Sequence, residues 1–191
     1  MLQTVLIILV VLAAIAVLLL IVVALQPSAF RVARSTKIAA TPAAVFEHVN
    51  DFHKWNAWNP WGKIDPAMKQ TYEGAPAGQG AKYSWVGNKD VGEGRMTIVE
   101  SRPGNLVRID MQFIKPFAGT SVAEFTFQPE GGGTTVTWSM SSTKNFMMKG
   151  MHLIMNMDKM IGGQFEKGLA DMKSIVEAKP RTAASQAALS R

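Results

Sequence analysis

Residues 106–143 read LVRIDMQFIKPFAGTSVAEFTFQPEGGGTTVTWSMSST, and apolar and polar side chains alternate through them with a period of two. Val107, Ile109, Met111 and Phe113 fall on one face and Arg108, Asp110 and Gln112 on the other. Ala123, Phe125 and Phe127 oppose Glu124, Thr126 and Gln128, and Val136, Trp138 and Met140 oppose Thr137, Ser139 and Ser141. Successive side chains of a strand point to opposite faces, so these are strands with one covered and one wet face. Short Pro- or Gly-containing turns separate them, which implies hairpins and an antiparallel sheet.

Working outward, the same pattern extends upstream through strands around Gln70–Glu73, Ala81–Val86 and Gly94–Glu100, with a first strand over Phe30–Ile38. Thr41-Pro42-Ala43-Ala44 supplies an N-cap hydroxyl and Pro at the first helical position, opening a helix through Val45, Phe46 and Val49. Asp51–Trp58 reads as a brief second helix whose Phe52, Trp55 and Trp58 share a face until Asn59-Pro60 breaks it. Downstream, Met147, Met151, Ile154, Ile161, Phe165, Leu169, Met172 and Val176 recur at helical spacing. They predict one long amphipathic helix over Phe146–Glu177, bent or closely approached at Gly162-Gly163.

The chain has 191 residues, 48% of them hydrophobic, enough for one modest domain and something extra. It has no Cys, which excludes a disulfide scaffold, a thiolate zinc site and a cysteine nucleophile. The net charge of +6 is not carried by the folded part: residues 35–178 balance to +1, and Arg31, Arg34, Lys179, Arg181 and Arg191 supply the rest. Without a basic stripe to release counterions from phosphates, no nucleic-acid partner is expected. Basic residues flanking the domain suit a membrane surface.

The extra element precedes the domain. Val5 to Leu25 contains only Leu, Ile, Val and Ala, and its 21 residues span a hydrocarbon core of about 30 Å. Seventeen of them are Leu, Ile or Val. Insertion is favoured by roughly 5–10 kcal/mol on a per-residue scale. A cleaved signal peptide is the competing reading, but the apolar run is longer than the usual h-region, no Lys or Arg precedes it, and no A-x-A site follows. Arg31, Arg34 and Lys37 follow the segment and place the soluble part on the cytoplasmic side of a single-pass protein. The division expected is an anchor over 1–26, a linker over 27–34, a domain over 35–178 and a flexible tail over 179–191.

The order of strand, two short helices, six-stranded antiparallel run and long terminal helix resembles the START-like helix-grip superfamily, the SRPBCC or polyketide cyclase/dehydrase and lipid-transport family. Its carriers are Ala40–Phe46, Phe52–Trp61, Tyr83-Ser84-Trp85 to Gly92-Glu93-Gly94, Gly133–Trp138 and Phe165–Leu169. The resemblance implies an α+β fold in which a curved antiparallel sheet grips the C-terminal helix around an elongated apolar cavity. The residues that would line it are Tyr83, Trp85, Met96, Ile98, Val107, Ile109, Met111, Phe113, Phe125, Phe127, Trp138 and Met140 from the sheet. Met151, Met155 and Phe165 would join them from the helix.

Function is less specified. Six Met between Met147 and Met160 suit a pocket that repacks around its ligand, gap-filling in a core helix, or a membrane-facing surface. Trp55, Trp58 and Trp61 suit a gate, a headgroup boundary, or packing of the small helices on the sheet. Gly74 to Gly80 lacks the Gly-Lys-Ser/Thr and helix of a phosphate loop. His48, His53 and His152 have no partner at helical metal spacing, so neither a metal nor a cofactor is predicted. Glu100, Ser142 and Asp158 are the polar groups whose phase allows an inward position. Glu47, Asp51, Glu93 and Glu166 read as solvated charges. The expected activity is membrane-anchored binding or transport of a lipid, isoprenoid or polyketide-like molecule. The alternatives are a cyclase, aromatase or dehydratase using the same cavity, and a ligand-free interaction module.

Overall fold

A computed structural model describes residues 1–178; the expected tail over 179–191 lies outside them. The elements follow in order as α1 (Leu2–Leu25), β1 (Ala29–Ile38), α2 (Pro42–Asn50), a 3-10 helix (Phe52–Ala57), α3 (Pro60–Ile64), β2 (Lys69–Gly74), β3 (Ala81–Val86), β4 (Glu93–Arg102), β5 (Leu106–Lys115), β6 (Gly119–Glu130), β7 (Gly133–Thr143), α4 (Phe146–Ile154) and α5 (Met157–Glu177). The seven strands form one antiparallel sheet in the order β1-β7-β6-β5-β4-β3-β2. The alternation seen in the sequence is the pleat: Ile109, Ala123 and Met140 are register partners on the covered face, as are Phe125 and Trp138.

α5 crosses the covered face. Its Phe165, Leu169 and Met172 are buried in the core, and the Phe165 ring stacks on Trp138 at 4.0 Å. α2, the 3-10 helix and α3 close the same face, with Val45, Phe46, Val49, Phe52, Trp55 and Trp58 all buried. Thr41 caps α2 by accepting from the Ala44 amide, as the sequence predicts. Asn59-Pro60 does more than break a helix: Pro60 occupies the first turn of α3, where its missing N–H costs nothing, and the Asn59 side chain accepts from the Trp61 amide.

Two expected features differ. β1 begins at Ala29, so most of the linker expected over 27–34 belongs to the sheet, and only Gln26–Ser28 joins it to α1. The C-terminal element is two helices that part at Met155-Asn156, because Asn156 turns its side chain to the Lys159 amide at 2.9 Å and caps a new helix. Gly162 and Gly163 lie inside α5 without breaking it. Gly162 is a close approach: a Cβ there would meet the Arg34 guanidinium at 2.1 Å.

Candidate functional site

Arg34 lies on the covered face of β1, in register with Trp138, and is the one charged residue of that strand aimed at α5. Its guanidinium pairs with Asp158 at 2.8 Å and Glu166 at 2.7 Å, clasping the first turns of α5 to the sheet edge. These hydrogen bonds hold the Asp158 carboxyl below the ordinary aspartate range. Glu166, read from the sequence as a solvated charge, is thus half of a clamp, and Asp158 is committed to the same arginine.

Inside this frame the covered face divides into halves. The half toward the β4–β5 and β6–β7 turns is solid. Ile98, Val107, Ile109, Phe125 and Phe127, all expected to line a cavity, are fully buried there among α2 and the 3-10 helix, with Phe46 edge-on to Phe127 at 5.7 Å. The other half is open. A cavity of about 180 Å³ is lined by Trp55, Asn59, Trp61, Met68, Tyr83, Trp85, Val91, Met96, Met111, Phe113, Ala123, Trp138, Met140, Ile161 and Phe165. Eight of the fifteen residues expected to form its wall do so: Tyr83, Trp85, Met96, Met111, Phe113, Trp138, Met140 and Phe165.

Met151 and Met155 are not among them: the break at Asn156 lays α4 against β1 through His152 and Phe30, outside the cavity. Trp55 and Trp61, together with Asn59, Met68, Val91, Ala123 and Ile161, complete the wall. Of these, Ala123 and Ile161 stand in the apolar stripes already visible in the sequence, whereas Met68 and Val91 come from turns without periodicity. The three tryptophans form no common gate. Trp58 is fully buried, its Nε1 donating to the His48 carbonyl at 3.0 Å, and Trp55 donates to the Val49 carbonyl at 2.9 Å. Only Trp61 is half-buried, at the rim.

The wall has few polar groups. Burial, with a smaller contribution from Tyr72, pushes the Tyr83 phenol well above the usual tyrosine range, so it is a neutral hydroxyl. The Asn59 amide oxygen is engaged by the Trp61 amide at 3.2 Å. Among the described residues, no carboxylate, imidazole or amine lines the cavity. The sequence candidates for acid–base work lie elsewhere: Glu100 is held by Arg102 at 2.9 Å and by Arg108, and Ser142 sits in the ladder opposite Phe30 and Ser121. Asp65 is buried near the rim, yet its oxygens accept from the Asn88 amide at 2.7 Å and the Ala67 amide at 3.2 Å, which pins the β3–β4 loop.

A larger concavity of about 600 Å³ lies on the outer sheet face among Arg95, Asp110, Gln112, Thr120 and Ser141. Its lining mixes polar and apolar groups and it is open to solvent, so it lacks the apolar enclosure that drives ligand burial.

Trp85 shapes the cavity through a glycine. Gly94, its register partner on β4, would place a Cβ 2.5 Å from the Trp85 ring, so the bare backbone there gives the indole the room in which it forms cavity wall. Tyr83 stacks beside it at 5.9 Å and Phe113 meets it edge-on at 6.1 Å.

Solved structures share this architecture. Protein CV1439 from Chromobacterium violaceum is 16% identical, with a TM-score of 0.57 over 81% of this chain and 100% of that one. Protein MLL2253 from Mesorhizobium loti is 13% identical, with a TM-score of 0.58 over 79% and 99%. CalU16 from Micromonospora echinospora is 16% identical, with a TM-score of 0.53 over 83% of each chain. At such identities the likeness is one of fold. No curated protein matches the sequence. The profile described as Polyketide cyclase / dehydrase and lipid transport matches residues 29–177, from the first strand to the end of α5, and the chain belongs to that family.

Proposed function

We propose that this chain is a membrane-anchored binder or carrier of an apolar ligand, held by a ring or a short acyl segment between sheet and α5. The observation that carries the reading is the cavity wall, which is aromatic and thioether-rich and, among the described residues, has the neutral Tyr83 phenol as its titratable group. Its volume of about 180 Å³ fits one aromatic ring or a few methylenes, since a cavity of about 150 Å³ takes up benzene. Burying about 150 Å² of ring at about 25 cal/mol per Å² gains roughly 4 kcal/mol before any costs. That corresponds to millimolar affinity. A tighter ligand is therefore longer than the cavity and extends through its mouth. The cyclase or dehydratase alternative rests on the Tyr83 phenol alone, which burial holds in its neutral form.

α1 supports the anchor. None of its 24 residues is buried and all but Val23, which α4 touches, are exposed, so its apolar surface is left almost bare by the described protein. We assign the domain to the cytoplasmic side from Arg31, Arg34 and Lys37. Arg34 is later consumed by its ion pairs, but topology follows from charges present during insertion.

Trp55, Trp61, Trp85 and Trp138 border the cavity, so ligand entry is read by their emission. In full-length protein in phosphatidylcholine nanodiscs, bromobenzene is expected to quench tryptophan fluorescence saturably, and Ala123→Phe, which fills the space, to abolish the saturable part. Linear quenching that is equal in both proteins would sink the proposal.

A further inference from the structure

The strand registers put one end of the sheet against the anchor. Ala29 pairs with Thr143, Ser142 with Ser121, Gly119 with Phe113, Lys115 with Glu93, and Glu93 with Val86. The start of β1, the start of α4 and the β3–β4 and β5–β6 hairpins therefore share an edge. Gln26–Ser28, three residues, bridges at most about 10 Å, which fixes that edge beside the end of α1. The contact is direct: Lys149 Nζ on α4 donates to the Ala24 carbonyl in the last turn of α1 at 3.1 Å, a cation at a helix C-terminus.

The exposed apolar side chains gather on this edge. Beyond α1, eleven large apolar residues are exposed among the described residues, and all but Ile64 lie on α4, its junction with α5, the first turn of α5, or the anchor-side halves of β3, β5 and β6 and their turns. α4 contributes Phe146, Met147, Leu153 and Ile154, the last 88% exposed, and the β5–β6 hairpin contributes Ile114 and Phe117. At the opposite end, the turns over 75–80, 103–105 and 131–132 consist of Ala, Pro, Gly, Gln and Asn. A contiguous apolar rim on a soluble face marks an interaction surface, and here the adjoining helix identifies the partner as lipid.

The cavity opens toward the same edge. Its half-buried lining residues include Val91 in the β3–β4 loop, Phe113 near the end of β5 and Ile161 near the start of α5. We propose that α4 and the β5–β6 hairpin dock into the bilayer surface and seat the cavity mouth against it. Apolar ligand then passes between bilayer and cavity without crossing water. Lys144 and Lys149, at the start and middle of α4, lie at headgroup level in this arrangement. The inference rests on the anchored-binder reading, and it explains how a ligand longer than the cavity stays covered: its remainder lies in lipid.

The absence of Cys makes the test clean. Ile154→Cys, Phe117→Cys, Ala77→Cys and Ala14→Cys variants of the full-length chain, labelled with an environment-sensitive fluorophore, are reconstituted in phosphatidylcholine/phosphatidylglycerol vesicles carrying nitroxide-labelled lipid. Positions 154, 117 and 14 are expected to be quenched by the lipid nitroxide, and position 77, on the far turns, to keep its full emission. Quenching at 14 with none at 154 and 117 overturns the docked face and leaves the anchor standing, whereas no quenching at 14 overturns both. The bromobenzene titration fails independently of either result, because it reads the cavity alone.

Discussion

At the scale of the residue, Gly94 and Arg34 control the site without lining it. Gly94→Ala drives a methyl into the Trp85 ring, and since the indole forms cavity wall, the ring moves inward. Overpacking of this kind costs about 1–3 kcal/mol. The expected outcome is a lower denaturation midpoint together with loss of saturable bromobenzene quenching. Arg34→Met leaves Asp158 and Glu166 unpaired and frees the first turns of α5. Faster amide exchange confined to those turns is the expected result; unchanged exchange would mean that packing alone holds them. The same contact has a pH sign. The Asp158 carboxyl titrates below its ordinary value of 3.8 because Arg34 hydrogen-bonds its charged form. Its contribution is complete above that value and disappears as pH falls through the folded one. Acid titration of α5 exchange in wild type, compared with Arg34→Met, isolates it.

At the scale of the element, the strands and α2 were legible in the sequence because each has a local signature: period-two alternation in β4 to β7 and Thr41-Pro42 at the helix start. The division of the C-terminal helix was not, since the glycine pair carries the ordinary signal for interruption and Asn156 carries a weaker one. Asn156 prevails because its side chain reaches the Lys159 amide, whereas Gly162 is held in helix by the neighbours that make its bareness necessary. Asn156→Ala removes a helix cap, and a loss of about 1 kcal/mol in chemical denaturation is the expected cost. α4 itself rests on β1 through His152, edge-on to Phe30 at 4.7 Å. Burial, aided by Lys144, lowers the pKa of this imidazole from 6.5, so it packs in its neutral form. Its contribution is present above pH 6.5 and is lost as pH falls through the folded value, so α4 amides are expected to have lower protection factors, relative to intrinsic exchange at each pH, at pH 5 than at pH 7.5.

At the scale of the molecule, alternation told which face of the sheet is covered but not by what along its length. Ile98, Val107, Ile109, Phe125 and Phe127 carry the same pattern as Met96, Met111 and Met140, yet α2 fills the space over the first group and leaves the space over the second. That distinction depends on where a helix lands and has no period in the sequence. The Met cluster was ambiguous for a related reason: its helical spacing suits core, cavity or membrane, and the turn at Asn156, which takes Met151 and Met155 out of the cavity wall, has no part in that spacing. Deleting residues 1–28 removes α1 and its connection but spares every strand. The truncated protein is expected to be soluble, with a circular dichroism spectrum that keeps its sheet signal, and to co-sediment only weakly with anionic vesicles. Aggregation of that fragment in buffer would show that α1 is needed for folding rather than for attachment.

Under the proposed anchoring and docking, the three-residue connection between α1 and β1 also sets the dimensionality of the search for ligand. A tether of about 10 Å confines the domain to a shell narrower than its own diameter, so the translational entropy of meeting the membrane is already spent when α1 inserts. The apolar rim then needs only a shallow preference for lipid to stay docked, and it can lift and reseat without losing its place. Encounter with a membrane-dissolved ligand becomes lateral diffusion in a plane, and its frequency follows the surface density of ligand in the bilayer rather than its vanishing concentration in water.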